Sequence, residues 1–218
     1  MDSEFWIKSW TDGRTAFNQQ QPHGKLTQYF PQLNPQSGQS VLVPLCGKTI
    51  DMLWLASQCL QVHGMELFSG AVEDFFSENK LQPVHKTQDQ NFTQYSHKNI
   101  AISCGDFFKL GKTNAYDFIY DRAALVALPA SMRVDYARVI KEALKKSGKC
   151  LLVVYEYGQS KMEGPPFSID NSEIERLYQD AFSIQLMESE KQKNEGPRLS
   201  AVEGMRQNVY ILQRLEHF

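Results

Sequence analysis

The sequence predicts an α/β protein built on a largely parallel sheet with helices on both faces. Apolar runs of strand length alternate along the chain with segments of helical periodicity. The first strand run leads through a tight turn containing Gly47 into a helix start, and Glu66 closes the next apolar run. A carboxylate about 20 residues beyond such a turn is typical of sheets that bind a nucleoside at their carboxyl edge. We therefore expect a ligand at that edge.

Seven segments are predicted as strands. They are residues 40–45, 61–67, 100–104, 116–121, 149–157, 182–188 and 207–215. The first five alternate with helical segments, which indicates parallel neighbours, and the last two are placed to close the sheet.

Two helices are predicted between these strands from apolar residues at helical spacing. One has its apolar face within residues 72–79, and the other within residues 136–144. For the second helix, Ser131 is predicted to cap the start and Gly148 to end it, with Lys145 and Lys146 suiting its negative end.

A third helix is predicted to open with the capping box Ser172-x-x-Glu175. Residues 158–170 and 189–204 are rich in glycine, proline and polar side chains, which predicts loops that either contact a substrate or simply connect strands. Residues 1–30 are rich in aromatic side chains and are predicted to cover the ligand site.

Composition narrows the function classes. With 218 residues, 42% of them hydrophobic, the chain is predicted to form a single domain over residues 1–218. The net charge of −2 gives no basic surface for nucleic acid. No apolar run approaches the roughly 20 residues of a membrane span. We expect a cytoplasmic protein that acts on a small molecule, with a monomer as the default.

Cysteine and histidine spacing indicates no metal site. The four cysteines show no Cys-x-x-Cys spacing, and the five histidines show no ligand spacing, so we expect no metal. Cys46, in the first turn, has no adjacent base and is interpreted as a packing residue rather than a nucleophile.

The glycine pattern separates three kinds of nucleotide site. A P-loop ends in Gly-Lys-Thr, as at Gly47, but its first glycine would fall at Leu42. A dinucleotide motif needs closely spaced glycines, and the next one after Gly47 is Gly64. S-adenosylmethionine carries ribose and adenine but no phosphate, so it is the cofactor that fits these residues.

Five sequence blocks resemble the thiopurine S-methyltransferase family, and particularly its bacterial members. The blocks are Trp10-Thr-Asp-Gly-Arg-Thr-Ala-Phe17, Pro44-Leu-Cys-Gly-Lys48, Gly64-Met-Glu66, Asp121-Arg-Ala-Ala-Leu-Val-Ala127 and Gly164-Pro-Pro-Phe167.

The resemblance implies a Rossmann-like class I methyltransferase fold, with a seven-stranded, mostly parallel sheet whose last strand is antiparallel. It also implies methyl transfer from S-adenosylmethionine to the sulfur of aromatic and heterocyclic thiols, thiopurines among them. Bacterial members are further associated with methylation of selenium and tellurium species.

The resemblance also assigns the cofactor contacts. Trp10 would cover the cofactor, Leu45 would contact it from the first turn, and Glu66 would bind the ribose. Gly105 and Asp106 fall where the family holds the adenine, although Asp106 is equally well interpreted as a turn residue.

On the acceptor side, Arg122 would lie beside both cofactor and acceptor, where its charge would favour a thiolate. Asp121 is the nearest candidate for a base. Phe17 would lie near the acceptor ring, and Arg198 would match a carboxyl-terminal arginine of the pocket, with Arg206 as its rival.

Two other functions are compatible with the same sequence. Within methyltransferases, a selenium or tellurium compound could be the main acceptor. From another class, the chain could be a non-catalytic sensor of S-adenosylmethionine, but a sensor would not need the Pro-Pro-Phe loop or the aromatic amino-terminal block.

Overall fold

A computed structural model describes residues 3–13, 18–82, 85–192 and 202–216 of the chain. The strands in this part are β1 (Ser40–Val43), β2 (Gln61–Glu66), β3 (His85–Gln88), β4 (Thr93–His97), β5 (Ile100–Cys104), β6 (Tyr116–Arg122), β7 (Leu144–Glu156), β8 (Phe182–Lys191) and β9 (Arg206–Arg214). The helices are α1 (Ser3–Thr11), α2 (Gly24–Tyr29), α3 (Asp51–Ser57), α4 (Ser69–Glu78), α5 (Ala130–Ala143) and α6 (Asn171–Tyr178).

The described strands form one sheet in the order β3-β4-β5-β2-β1-β6-β7-β9-β8. Neighbours from β5 through β7 pair in parallel, and β9 pairs antiparallel with both β7 and β8. This confirms the predicted α/β class and all seven predicted strands, including the antiparallel last strand.

The described part of the sheet nevertheless has nine strands, because β3 and β4 form an antiparallel hairpin on the β5 edge. The prediction of seven missed these two. They lie at the margin of the sheet, and Tyr95 is the one buried residue of β4. Strands with so little buried surface carry no apolar run.

The predicted ends of α5 were wrong. Pro129, with its extended backbone, occupies the N-cap position, so Ser131 lies inside the helix. The helix ends at Ala143 because buried Leu144 already pairs with β6, and Gly148 lies within β7. Lys145 contacts the Asp117 carboxylate at 2.9 Å instead of the helix end.

The predicted cap of α6 was displaced by two residues. Asp170 is the N-cap, and its Oδ1 accepts hydrogen bonds from the Glu173 N–H at 2.8 Å and the Ser172 hydroxyl at 2.7 Å. Aspartate caps a helix as well as serine does, and the earlier of two capping residues prevails here.

The two predicted loops have different outcomes. Residues 158–170 lack strand and α-helix apart from a 3₁₀ turn at Gln159–Lys161, and the Gly164–Pro165 and Pro165–Pro166 peptide bonds are cis. In the second segment, residues 189–191 extend β8, while residues 193–201 lie outside the described part.

Two apolar cores cover the faces of the sheet. Leu42, with α5 and α6, contributes to one, and Val41 and Val43, with α2, α3 and α4, contribute to the other. Strands buried on both faces place their functional side chains at the carboxyl edge. Among the described residues, no helix is long and apolar enough to cross a membrane.

Candidate functional site

The turn after β1 packs closely against the end of β2. Leu45 has φ of 46° and Gly47 has φ of 53°, and the left-handed region costs a non-glycine residue about 1–3 kcal/mol. The Cys46 N–H donates to the Met65 carbonyl at 2.8 Å. A Cβ on Gly64 would lie 2.8 Å from the Cys46 Sγ, so Gly64 permits the close approach. Leu45 is thereby held, half-buried, at the carboxyl edge.

Glu66 ends β2 directly beneath this turn. Its Oε2 accepts from the Gly47 N–H at 2.8 Å, and its Oε1 accepts from the Phe68 N–H at 2.9 Å. Burial raises the pKa of Glu66, and these backbone N–H groups act in the opposite direction. The side chain is 7% exposed. Because a carboxylate has about four acceptor positions, Glu66 retains capacity for hydroxyl donors.

The amino-terminal helix α1 lies against the same turn. The Trp10 ring stacks on Phe68, with centroids 6.2 Å apart and an angle of 25° between the planes. A Cβ on Gly47 would lie 2.9 Å from Trp10 Cζ2, so the absence of a side chain at Gly47 makes room for the indole. The structure therefore brings Trp10 to the turn after β1, the turn that is predicted to contact the cofactor. Phe17 lies outside the described residues.

Gly105 and Asp106 follow β5 at the same edge. The Gly105 N–H donates to the Glu66 carbonyl at 2.8 Å, and a Cβ on Gly105 would lie 2.4 Å from the Asn91 carbonyl oxygen. The β3–β4 loop thus packs on Gly105, a contact that sequence reasoning missed along with the hairpin. Asp106 Oδ1 accepts from the Phe108 N–H at 3.0 Å and caps a 3₁₀ turn, which confirms the interpretation of Asp106 as a turn residue. Its adenine contact stays a prediction.

Asp121, on β6, faces the α5 side of the sheet. It is 1% exposed, and its oxygens accept from the Tyr136 hydroxyl at 2.8 Å and the Leu125 N–H at 3.2 Å. Burial raises the pKa of Asp121 to about 6. These contacts hold the segment after β6 in place, and they favour a structural role. The role of base stays a prediction.

The next residue, Arg122, is half-buried and lies near the start of α2. The pKa of His23 is lowered to about 4, first by burial and then by the positive charge of Arg122. Arg122 also opposes the raised pKa of Tyr120. Side chains alternate along β6, so Arg122 shares the face of Phe118 and Tyr120, which pack in the core that α2 covers.

The Pro-Pro-Phe loop reaches the segment that follows Arg122. The Phe167 N–H donates to the Val126 carbonyl at 2.6 Å. The Phe167 ring lies 5.6 Å from the guanidinium carbon of Arg133, which also pairs with Glu173 at 2.5 Å. Sequence reasoning missed Arg133, since no pattern distinguishes it from a surface arginine of a helix.

The two carboxyl-terminal arginines differ in what the structure describes. Arg206 begins β9, and its guanidinium donates to the Ser189 hydroxyl at 2.7 Å and to the Ser189 carbonyl at 2.6 Å. It is thus engaged with the neighbouring strand β8. Arg198 lies outside the described residues.

The chain is similar to proteins named thiopurine S-methyltransferase. One from Bordetella petrii is 49% identical over 180 residues, covering 82% of each chain. One from Bordetella pertussis is 41% identical over 220 residues, covering 99% of this chain and 100% of the relative.

Solved structures share the fold at low sequence identity. A 1,6-didemethyltoxoflavin-N1-methyltransferase from Burkholderia thailandensis, solved with bound 1,6-didemethyltoxoflavin and S-adenosylhomocysteine, gives a TM-score of 0.68 at 15% identity, covering 97% of this chain and 86% of the other. A SAM-dependent methyltransferase from Methanosarcina mazei gives 0.64 at 18% identity, covering 88% and 98%. The predicted Rossmann-like methyltransferase fold is thereby confirmed.

The family model for thiopurine S-methyltransferase matches residues 1–215, which is nearly the whole chain. The relative from Bordetella pertussis also aligns over nearly the whole chain. The chain belongs to the thiopurine S-methyltransferase family.

Proposed function

We propose that this chain transfers the methyl group of S-adenosylmethionine to the sulfur of aromatic and heterocyclic thiols, including thiopurine-like compounds. The observation that carries the proposal is the Glu66 carboxylate, fixed by two backbone N–H groups under a turn that Trp10 covers. Relatives that align over the whole chain carry the matching name.

The residues present fit this cofactor. Glu66 would accept from the ribose hydroxyls, Leu45 would contact the cofactor through backbone and shape, and Trp10 would close over it. Gly105 and Asp106 would border the adenine. When bound, S-adenosylmethionine supplies an electrophilic sulfonium methyl group. The fit needs no phosphate-binding loop, in keeping with the single glycine of the first turn.

On the acceptor side the main task of the protein is alignment. Heterocyclic thiols are acidic enough to react as thiolates, so a strong general base is not required. The Arg122 guanidinium favours the anionic form of a neighbouring thiol. Holding the reacting atoms about 3–3.5 Å apart and in line accounts for as much as roughly 7–11 kcal/mol of the barrier. Phe17 and Arg198 complete the acceptor pocket in this proposal.

We further propose that residues 1–218 act as one catalytic domain, with residues 1–30 as its cover, and that the protein works as a cytoplasmic monomer. One sheet incorporates every described strand, which supports the single domain. Light scattering coupled to size-exclusion chromatography tests the oligomeric state.

A comparison of acceptor classes tests the function. The purified chain is given S-adenosylmethionine with a heterocyclic thiol, an aromatic thiol, an organic selenol, or tellurite, and kcat/KM is measured for each. The proposal expects the two thiols to have the highest values. A higher value for the selenol or for tellurite would assign the main role to metalloid methylation, and binding of S-adenosylmethionine without any turnover would indicate a sensor.

A further inference from the structure

Asp51, the first residue of α3, connects three separate parts of the site. Its Oδ1 accepts from the backbone N–H of His23 at 2.8 Å, and its Oδ2 accepts from the Tyr120 hydroxyl at 3.0 Å. Asp51 follows the cofactor turn, His23 immediately precedes α2, and Tyr120 lies two residues before Arg122 on β6. One carboxylate therefore ties the cofactor side, the amino-terminal region and the acceptor side together.

The residues that make these contacts are buried, so the loss of either hydrogen bond would be destabilising. Asp51 and Tyr120 are each 1% exposed, and His23 is 8% exposed. A buried polar group that loses its partner destabilises the structure around it. Arg122 lies two residues after Tyr120 on β6 and therefore on the same face of the sheet, which places its guanidinium beside Asp51, His23 and Tyr120.

Two attachments of the amino-terminal region lie at the site, and the cluster of Asp51, His23 and Tyr120 is one of them; farther along α2, Lys25 and Tyr29 also pair with Glu188 of β8. The first is Trp10, which stacks on Phe68 beside the cofactor turn. The second is the His23 N–H on Asp51, near Arg122. Loss of the second attachment would leave the first in place, and with it the contacts that Glu66 offers the cofactor.

We propose that Asp51 is a positioning residue that fixes the acceptor side of the amino-terminal cover over Arg122. It acts through His23 and Tyr120 and touches neither cofactor nor acceptor. The inference rests on the proposed function, because it concerns the acceptor side of that same site.

The test compares Asp51→Ala with wild type by amide hydrogen exchange over residues 18–24 and by steady-state kinetics with one aromatic thiol. We expect faster exchange at these residues without ligand and a rise of about tenfold in the KM for the thiol, in line with the loss of a buried partner. The Kd for S-adenosylhomocysteine should stay within threefold of the wild-type value, a smaller change than the tenfold rise expected in the KM for the thiol. Asp51→Asn keeps an oxygen for the His23 N–H and should restore both readouts.

Asp117→Ala is the matched control. Asp117 also ties β6 to its neighbours, through Ser40 and Lys145, but at the opposite end of the strand. Its loss should leave the KM for the thiol and the exchange of residues 18–24 unchanged.

Unchanged exchange and KM in Asp51→Ala would overturn the proposal. An equal loss of thiol and S-adenosylhomocysteine binding would overturn it too, because that result indicates general destabilisation. If Asp51→Ala does not fold, Tyr120→Phe removes the hydroxyl alone and must raise the KM without changing the Kd. Hydrogen exchange without ligand measures the attachment of residues 18–24 even if the protein methylates no thiol. Failure of the positioning proposal can therefore be distinguished from failure of the proposed function.

Discussion

Removal of the Glu66 carboxylate should weaken cofactor binding more than any other single truncation at this edge. In Glu66→Ala, the ribose hydroxyls lose an anionic acceptor, and hydrogen bonds to charged groups contribute about 1.5–3 kcal/mol each. One such bond at the lower limit corresponds to about a tenfold change in Kd, and two correspond to about a hundredfold change or more. The Gly47 and Phe68 N–H groups also lose their acceptor, so the turn that carries Leu45 loosens in the same variant.

Glu66→Gln separates these two effects. Glutamine keeps the shape of the side chain and one oxygen, which can still accept from the Phe68 N–H. Its amide NH₂ group would face the Gly47 N–H, and because both groups are donors, no hydrogen bond could form there. We expect affinity between those of Ala and wild type. Glu78→Ala, which removes an exposed carboxylate paired with Lys48, is the control for charge alone.

Isothermal titration with S-adenosylhomocysteine measures each Kd, and circular dichroism checks that each variant is folded. A folded Glu66→Ala protein that binds S-adenosylhomocysteine within twofold of wild type would refute the cofactor assignment, since a twofold change lies well below the effect of even one charged hydrogen bond.

Three further results are expected. Gly105→Ala should raise the Kd for S-adenosylhomocysteine, because the new Cβ would lie 2.4 Å from the Asn91 carbonyl oxygen and force the β3–β4 loop away; an unchanged Kd, measured by titration, would contradict this. Asp121 has a folded pKa of about 6, above its ordinary 3.8, so its ionisation destabilises the fold as pH rises through that interval. The unfolding free energy of wild type relative to Asp121→Asn, from urea titrations, should fall by about 3 kcal/mol between pH 3 and pH 7, and a constant difference would contradict the burial argument. Amide exchange of residues 5–13 should slow when S-adenosylhomocysteine and a thiol are both bound, and equal rates would contradict the cover.

Buried parallel strands were predictable because burial on both faces leaves a continuous apolar run. That is why β1, β2 and β5 were found within two residues of their ends. The hairpin of β3 and β4 was not predictable by the same signal, since its residues are mostly half-buried or exposed. The cap of α6 was predicted wrongly for another reason. Asp170 competes with Ser172 for the N-cap position, and the sequence alone does not show which of the two residues caps the helix.

The meeting of the first turn with Glu66 was predictable because a turn and a carboxylate at fixed spacing along the chain define this edge. The Asp51 cluster was not, because Asp51 is 28 residues from His23 and 69 residues from Tyr120. Such contacts depend on the strand order of the sheet, which local periodicity does not contain. Asp121 shows the same limit, since only the packing of α5 reveals Tyr136 as its partner.

Methyl transfer to sulfur at the edge that carries Glu66 would leave a methyl group at one defined position of the acceptor. The most direct test incubates the chain with S-adenosylmethionine carrying a trideuterated methyl group and a thiopurine that offers both sulfur and ring nitrogens. Mass spectrometry and NMR then locate the label. We predict one product, labelled on sulfur, formed by wild type and reduced at least tenfold in Glu66→Ala under subsaturating cofactor, as expected for one lost charged hydrogen bond. A label on nitrogen would contradict methyl transfer to sulfur, and an undiminished rate in the Glu66→Ala variant would contradict cofactor binding by Glu66.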